Sequence, residues 1–196
     1  MPYISDRQFT DYVHNNLALR DIYPQMDWVV QDVNNRMQVN VDINNAVDYM
    51  AVDSNRRLIT IQERFREAKY ANYSDFTVRY MRPENMHEDR RLSEFFKLDA
   101  DYFIYGIIDS SKADVQNATG FLKYAVINLE IVRDMLNNHE IVIDPNMRGF
   151  CCRLIDGVMT CPVNENYDHS SNFVPFDIVI LNRVAPEAIE YQEGFF

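Results

Sequence analysis

The sequence predicts an α/β fold, a mixed sheet flanked by helices with a C-terminal β-hairpin extension. Three observations carry that expectation. Helical spacing of the apolar residues gives way to strand spacing near residue 46. Asp101–Ile108, DYFIYGII, is almost continuously apolar, as a strand buried on both faces should be. Asp156-Gly157 sits between two apolar arms in 149–163, a hairpin signal. A chain of 196 residues fits one domain over 1–196, with a core at about 5–140 and a β extension at about 141–196.

The elements follow in order. In 5–19, Ser5 can cap, acids fill the first turn, and Phe9, Tyr12, Val13 and Leu17 form an apolar stripe, so a helix is expected. Pro24 ends it. A second short helix is read over 26–38. Ala46–Asp53 and Leu58–Phe65 read as two strands joined by the turn-prone Asp53-Ser54-Asn55-Arg56-Arg57. Ser74–Met81 alternates and gives a third strand. Leu92–Lys97 reads as a short helix, Asp101–Ile108 as the buried strand, and 114–137 as the longest helix. Its stripe is Leu122, Ala125, Val126, Leu129, Val132 and Leu136. Phe176–Leu181 is a final strand before an acidic tail.

Composition narrows the function. The formal charge is −11, which opposes non-specific binding to nucleic acid. The charge is uneven: residues 56–97 hold ten Lys/Arg against seven Asp/Glu, and 98–196 hold six against fifteen. No apolar run is long enough for a membrane span, and no leader pattern stands at the N-terminus, so the chain reads as cytoplasmic, in a host cytoplasm if viral. Cys151, Cys152 and Cys161 are too few and too clustered for a disulfide framework, and C-x-x-C zinc spacing is absent, so they read as buried or half-buried thiols. His14 and His139 have no partner pattern and read as surface or helix-end residues. Phosphate loops, dinucleotide loops and the serine-hydrolase elbow are missing.

The segment Asp48 to Glu67 holds the one constellation with chemistry. Alternation sets Gln62 and Arg64 on one face of their strand with Thr60, and Glu63 on the other with Ile59, Ile61 and Phe65. A hairpin can bring Asp48 beside Gln62. One carboxylate, one amide oxygen and one cation then meet at a sheet end. Cross-strand pairing with Asp75 or Arg79 would account for the same polar residues as an ordinary solvated strand end.

The order helix, strand with Asp48, strand with Gln62-x-Arg64, strand, helix, strand resembles the PD-(D/E)XK nuclease-like superfamily over roughly residues 5–110. That resemblance implies a restriction-endonuclease-like sheet and hydrolysis of DNA phosphodiesters with Mg2+ (or Mn2+). Asp48 and Gln62 would hold the metal, Arg64 would clamp phosphate, and Arg66, Arg79 and Lys97 would make further phosphate contacts. The sequence departs from the superfamily where Gln62 and Arg64 replace an acid and a lysine. Arg64 stays protonated and cannot be a general base. The alternative is a scaffold that has lost the chemistry and serves as an acidic interaction or DNA-mimic protein, an accessory of a phage or mobile element. The Asp-Gly hairpin also offers an edge strand for a homodimer.

Overall fold

The computed structural model describes residues 6–31, 47–81, 95, 99–167, 169 and 171–196. Helix α1 (Asp6–Val13) passes through a π turn (His14–Ala18) into α2 (Leu19–Asp21). The strands that follow are β1 (Val29–Val30), β2 (Tyr49–Val52), β3 (Leu58–Arg66), β4 (Asp75–Met81), β5 (Tyr102–Ile108) and β6 (Phe121–Asn128). Helix α3 (Leu129–Asn137) leads to β7 (Ile141–Asp144), β8 (Arg153–Ile155), β9 (Val158–Pro162), β10 (Asn164–Glu165) and β11 (Asn172–Asp177). Helix α4 (Ile178–Val184) and β12 (Ile189–Glu193) close the chain.

The architecture is mixed α/β. A six-stranded sheet of order β1-β2-β3-β5-β6-β12 forms the centre, antiparallel except where β3 pairs β5 in parallel. Two three-stranded sheets, β10-β11-β4 and β7-β9-β8, lie beside it. Apolar residues cover both faces of the central sheet. Phe9, Val13, Leu17 and Ile22 pack against Ile59, Ile61, Phe65, Ile104 and Val126. Phe103, Tyr105, Ile107, Ala125 and Ile127 share the second core with Phe76, Val78, Phe176 and both later helices. Strand β5 feeds both clusters, as its continuous apolar run requires. Gly106 is needed within it, because a Cβ there would stand 2.6 Å from the Phe121 ring.

The β2–β3 hairpin forms as expected. Asp53 Oδ1 accepts from Asn55 N at 2.9 Å and from Arg57 N at 2.8 Å, which closes the turn. The Asp156-Gly157 hairpin also forms, between β8 and β9. Four expectations need correction. Residues 29 and 30 pair with β2 as a strand, so no helix starts at 26; the rest of that prediction lies outside the described residues. Strand β4 leaves the central sheet and pairs with β11, so neither Asp75 nor Arg79 is a cross-strand partner of β3. The helix read over 114–137 is a 3-10 turn (Lys112–Asn117), the strand β6 and then the helix α3. The strand read over 176–181 ends at Asp177, where α4 begins. Both misread joints pass from strand to helix without a loop, at a capping residue. Asn128 Oδ1 accepts from Glu130 N at 3.1 Å, and Asp177 Oδ1 from Ile180 N at 2.9 Å. The short helix read over 92–97 lies largely outside the described residues.

Candidate functional site

Strand β3 presents two polar sets to opposite sides of the sheet, as alternation requires. The register sets Tyr49 opposite Ile61. Asp48 donates its N–H to Ile61 O at 2.9 Å, so one step further along it lies beside Gln62. The Asp48 carboxylate then turns to the backbone: its Oδ2 accepts from Glu63 N at 2.8 Å. It continues the sheet ladder where the carbonyl of a longer β2 would have done so.

Toward α1, Glu63 is enclosed. Its side chain is 0% exposed and that of His14 4%. His14 Nδ1 lies 3.0 Å from both carboxylate oxygens, and Tyr23 donates its hydroxyl to Oε1 at 2.8 Å. The His14 ring stacks on Tyr49, with centroids 3.6 Å apart and planes 3° from parallel. The π turn starts at His14; the wider turn sets His14, Leu17 and Ala18 all inward. Burial, and then the Glu63 charge, push the Tyr23 and Tyr49 hydroxyls well above the ordinary tyrosine value. Both remain donors at any working pH. His14 is therefore a buried residue and not the surface residue its lone position in the sequence implied; His139 is exposed just past α3, as expected.

On the opposite side lies a cationic seam between the central sheet and β4. Strand β4 has β11 on one edge only. Thr77 stands opposite Pro175, which has no N–H to give, and its polar groups meet β3 instead. Arg64 Nη1 donates to Thr77 O at 2.7 Å, and Arg66 Nη2 to Thr77 Oγ1 at 2.7 Å. The Arg66 guanidinium also lies 4.8 Å from the Tyr70 ring centroid. Across β5, Lys123 is buried and donates to Tyr73 O. Burial lowers the Lys123 pKa and raises that of Asp75, although Arg66 and Lys123 pull the Asp75 carboxyl the other way. Burial likewise pushes the Tyr105 hydroxyl up to about 12. Among the described residues two buried oxygens have no protein partner, Gln62 Oε1 and Tyr105 Oη. Arg64 stands opposite Tyr105 in the β3–β5 register, so both orphans belong to this seam. Buried acceptors of this kind call for bound water or a ligand.

Among the described residues, those beside Asp48 do not fit the metal that the resemblance implies. Mg2+ and Mn2+ want several hard oxygens. Beside Asp48 the described oxygen donor is Gln62 Oε1, and Arg64 and Arg66 follow it on the same face with two positive charges. Glu63, the one acid of β3, is on the other side with His14 and Tyr23. Among the described residues no three His, Cys, Asp or Glu side chains gather into a metal-binding group. Zinc is no better served: Cys152 and Cys161 are buried together, Cys151 is exposed, and His169 Nδ1 lies 2.8 Å from Glu165.

The sequence-predicted set is thus partly gathered. Asp48, Gln62, Arg64 and Arg66 converge, and Arg79 follows Thr77 by two residues on the same strand. Lys97 lies outside the described residues. Lys123, Asp75, Tyr105 and the Glu63–His14–Tyr23 cluster were missed. A signal for the last existed: Glu63 interrupts the apolar face Ile59, Ile61, Phe65, and His14 adjoins the apolar stripe Val13, Leu17. In comparisons with known proteins, the chain matches no family model, no curated protein and no solved structure. No helix among the described residues is long and apolar enough to cross a membrane.

Proposed function

We propose that the chain is a non-catalytic scaffold of the restriction-endonuclease-like kind, whose work is to bind a basic protein partner through an acidic surface. The observation that carries this reading is the engagement of the motif residues with the chain's own backbone. The Asp48 carboxylate holds the Glu63 N–H, and the Arg64 guanidinium holds the Thr77 carbonyl. These groups fasten strand to strand and sheet to sheet, which is a different task from holding metal and phosphate. The surface supplies the partner class. Among the described residues of 99–196, eleven carboxylate side chains are exposed, from Asp99 to Glu193, against three exposed arginines, Arg148, Arg153 and Arg183. Such a field attracts a basic surface and repels DNA.

The competing reading, metal-dependent cleavage of DNA, is separated by one assay. Supercoiled DNA is incubated with Mg2+ or Mn2+ and either wild type or Asp48→Ala, while unfolding of both proteins is followed in denaturant. The scaffold reading expects no metal-dependent nicking, a less stable Asp48→Ala, and salt-sensitive binding of a lysine-rich protein. Nicking by wild type that vanishes in a fully stable Asp48→Ala would overturn it in favour of the nuclease.

A further inference from the structure

The β8–β9 hairpin brings two cysteines into a register that a covalent bond can use. Its two-residue turn, Asp156-Gly157, has φ of 50° and 84°, the doubly left-handed geometry that continues strand twist. The pairs Ile155/Val158, Leu154/Met159 and Arg153/Thr160 lead away from it. Extended by one step beyond the end of β8, that register sets Cys152 opposite Cys161, and the contact between their sulfurs agrees with it. Hydrogen-bonded and non-hydrogen-bonded pairs alternate along an antiparallel ladder. The pair beside a two-residue turn is hydrogen-bonded, so the cysteine pair falls in the closer, non-hydrogen-bonded class. There Cα atoms are about 4.5 Å apart, within the range of roughly 4.4–6.8 Å that a disulfide spans. The sulfurs are 3.0 Å apart, and Cys152 Sγ is also 2.9 Å from Pro175 O of β11. Both cysteines are buried, whereas Cys151 is exposed.

We propose that Cys152 and Cys161 are a redox-linked pair that closes to a cross-strand disulfide when the chain meets a low-molecular-weight disulfide such as oxidised glutathione. The proposal is independent of the partner reading. One cysteine, as thiolate after losing its proton to water, attacks a sulfur of the oxidant and releases one glutathione thiolate. The other cysteine, likewise deprotonated, then displaces the second glutathione thiolate. The protein pair gives up two protons and two electrons, and the oxidant becomes two molecules of reduced glutathione. Access comes from the fold. Strand β8 is the edge of its sheet and all three of its residues are exposed, so it can peel from β9 and return. In the closed hairpin the Cys152 contact and burial hold the Cys161 thiol protonated, so exchange belongs to the open form. Once made, the bond is shielded from solvent and ties the hairpin where it meets β11.

The test uses the full chain carrying Cys151→Ser, equilibrated with oxidised glutathione or with dithiothreitol. Trypsin cleavage after Arg148 and Arg153 separates Cys152 from Cys161. The expected result is a linked pair of peptides in the non-reducing digest and no titratable thiol in denaturant. The thermal midpoint should exceed that of the reduced protein by about 5–10 °C. Cys161→Ser in the same background should lose both link and shift. Two persistent thiols, or a glutathione adduct on one cysteine without a linked peptide, would overturn the proposal. If the variants fail to fold, wild type gives the same readout by fragmentation of the linked peptide, and a Cys151–Cys161 bond would overturn it equally.

Discussion

The two faces of β3 handle buried polarity in opposite ways. Toward α1, a single carboxylate is met by an imidazole, a phenol and aromatic packing, and the backbone N–H beneath it is taken by Asp48. Toward β4, two guanidinium groups, an amide, a phenol and an ammonium are gathered, and two oxygens are left without partners among the described residues. The first face is complete and closed to water. The second is held together by cations that bridge two sheets. A polar cluster that satisfies itself is a structural device; one that leaves acceptors open is where a ligand or water must enter the account. Gln62 and Arg64 fall on the open face, and Glu63 between them in sequence falls on the closed one, so the one acid of β3 stands apart from its cations.

The comparison breaks most severely at Glu63. Glu63→Ala leaves a His14 ring nitrogen and the Tyr23 hydroxyl buried without their carboxylate partner, and each unsatisfied buried group costs about 1–3 kcal/mol. Denaturant unfolding should show a loss of that size with an unchanged m-value, and combining it with His14→Ala should cost much less than the sum of the two. A loss under about 1 kcal/mol would mean that water reaches the site and that the closed face is not closed.

Next comes Arg64. Arg64→Ala removes the donor to Thr77 O on the open edge of β4, and an unsatisfied buried carbonyl costs about 1–3 kcal/mol. Arg64→Lys should recover only part, because an ammonium cannot match the fork of a guanidinium. The effect should be smaller than at Glu63, since water can replace the lost donor in a seam that already has open acceptors. Equal losses at both positions would erase the distinction between the faces.

Much of this was legible in the sequence, for identifiable reasons. The β2–β3 and β8–β9 hairpins follow from Asp53 and Asp156-Gly157, whose turn chemistry is local. Strand β5 follows from an apolar run too short for a helix. In 114–137 the apolar residues of β6 and α3 combine into a helical stripe, which hides the change of period at Asn128. The Asn128 and Asp177 caps were the available signals at both misread joints. The seam was half legible: alternation gave the shared face of Gln62 and Arg64. That β4 belongs to another sheet and meets that face edge-on is set by its pairing with β11, nearly a hundred residues later, and no local pattern encodes it. The Glu63–His14 contact is similarly non-local, 49 residues apart.

Asp75 gives the mildest test, through pH. Burial raises its pKa although Arg66 and Lys123 oppose the rise, with Asp177 adding to it. The folded chain therefore keeps a proton that the unfolded chain has already released. In the window between the ordinary carboxylate value of about 4 and the raised native value, the native state binds more protons, so stability falls as pH rises. Above that window a constant penalty remains, because the folded chain must hold a charged carboxylate in a poorly solvated seam. Asp75→Asn removes the ionisation and with it the penalty. Wild type and variant should differ least below the window. The variant should gain on wild type through the window and keep that advantage at neutral pH, while a matching Asp53→Asn, on the exposed turn with a lowered pKa, should show the opposite slope. If Asp75→Asn instead loses stability at neutral pH, the pull of Arg66 and Lys123 outweighs desolvation, and the open face would prove to be as well compensated as the closed one.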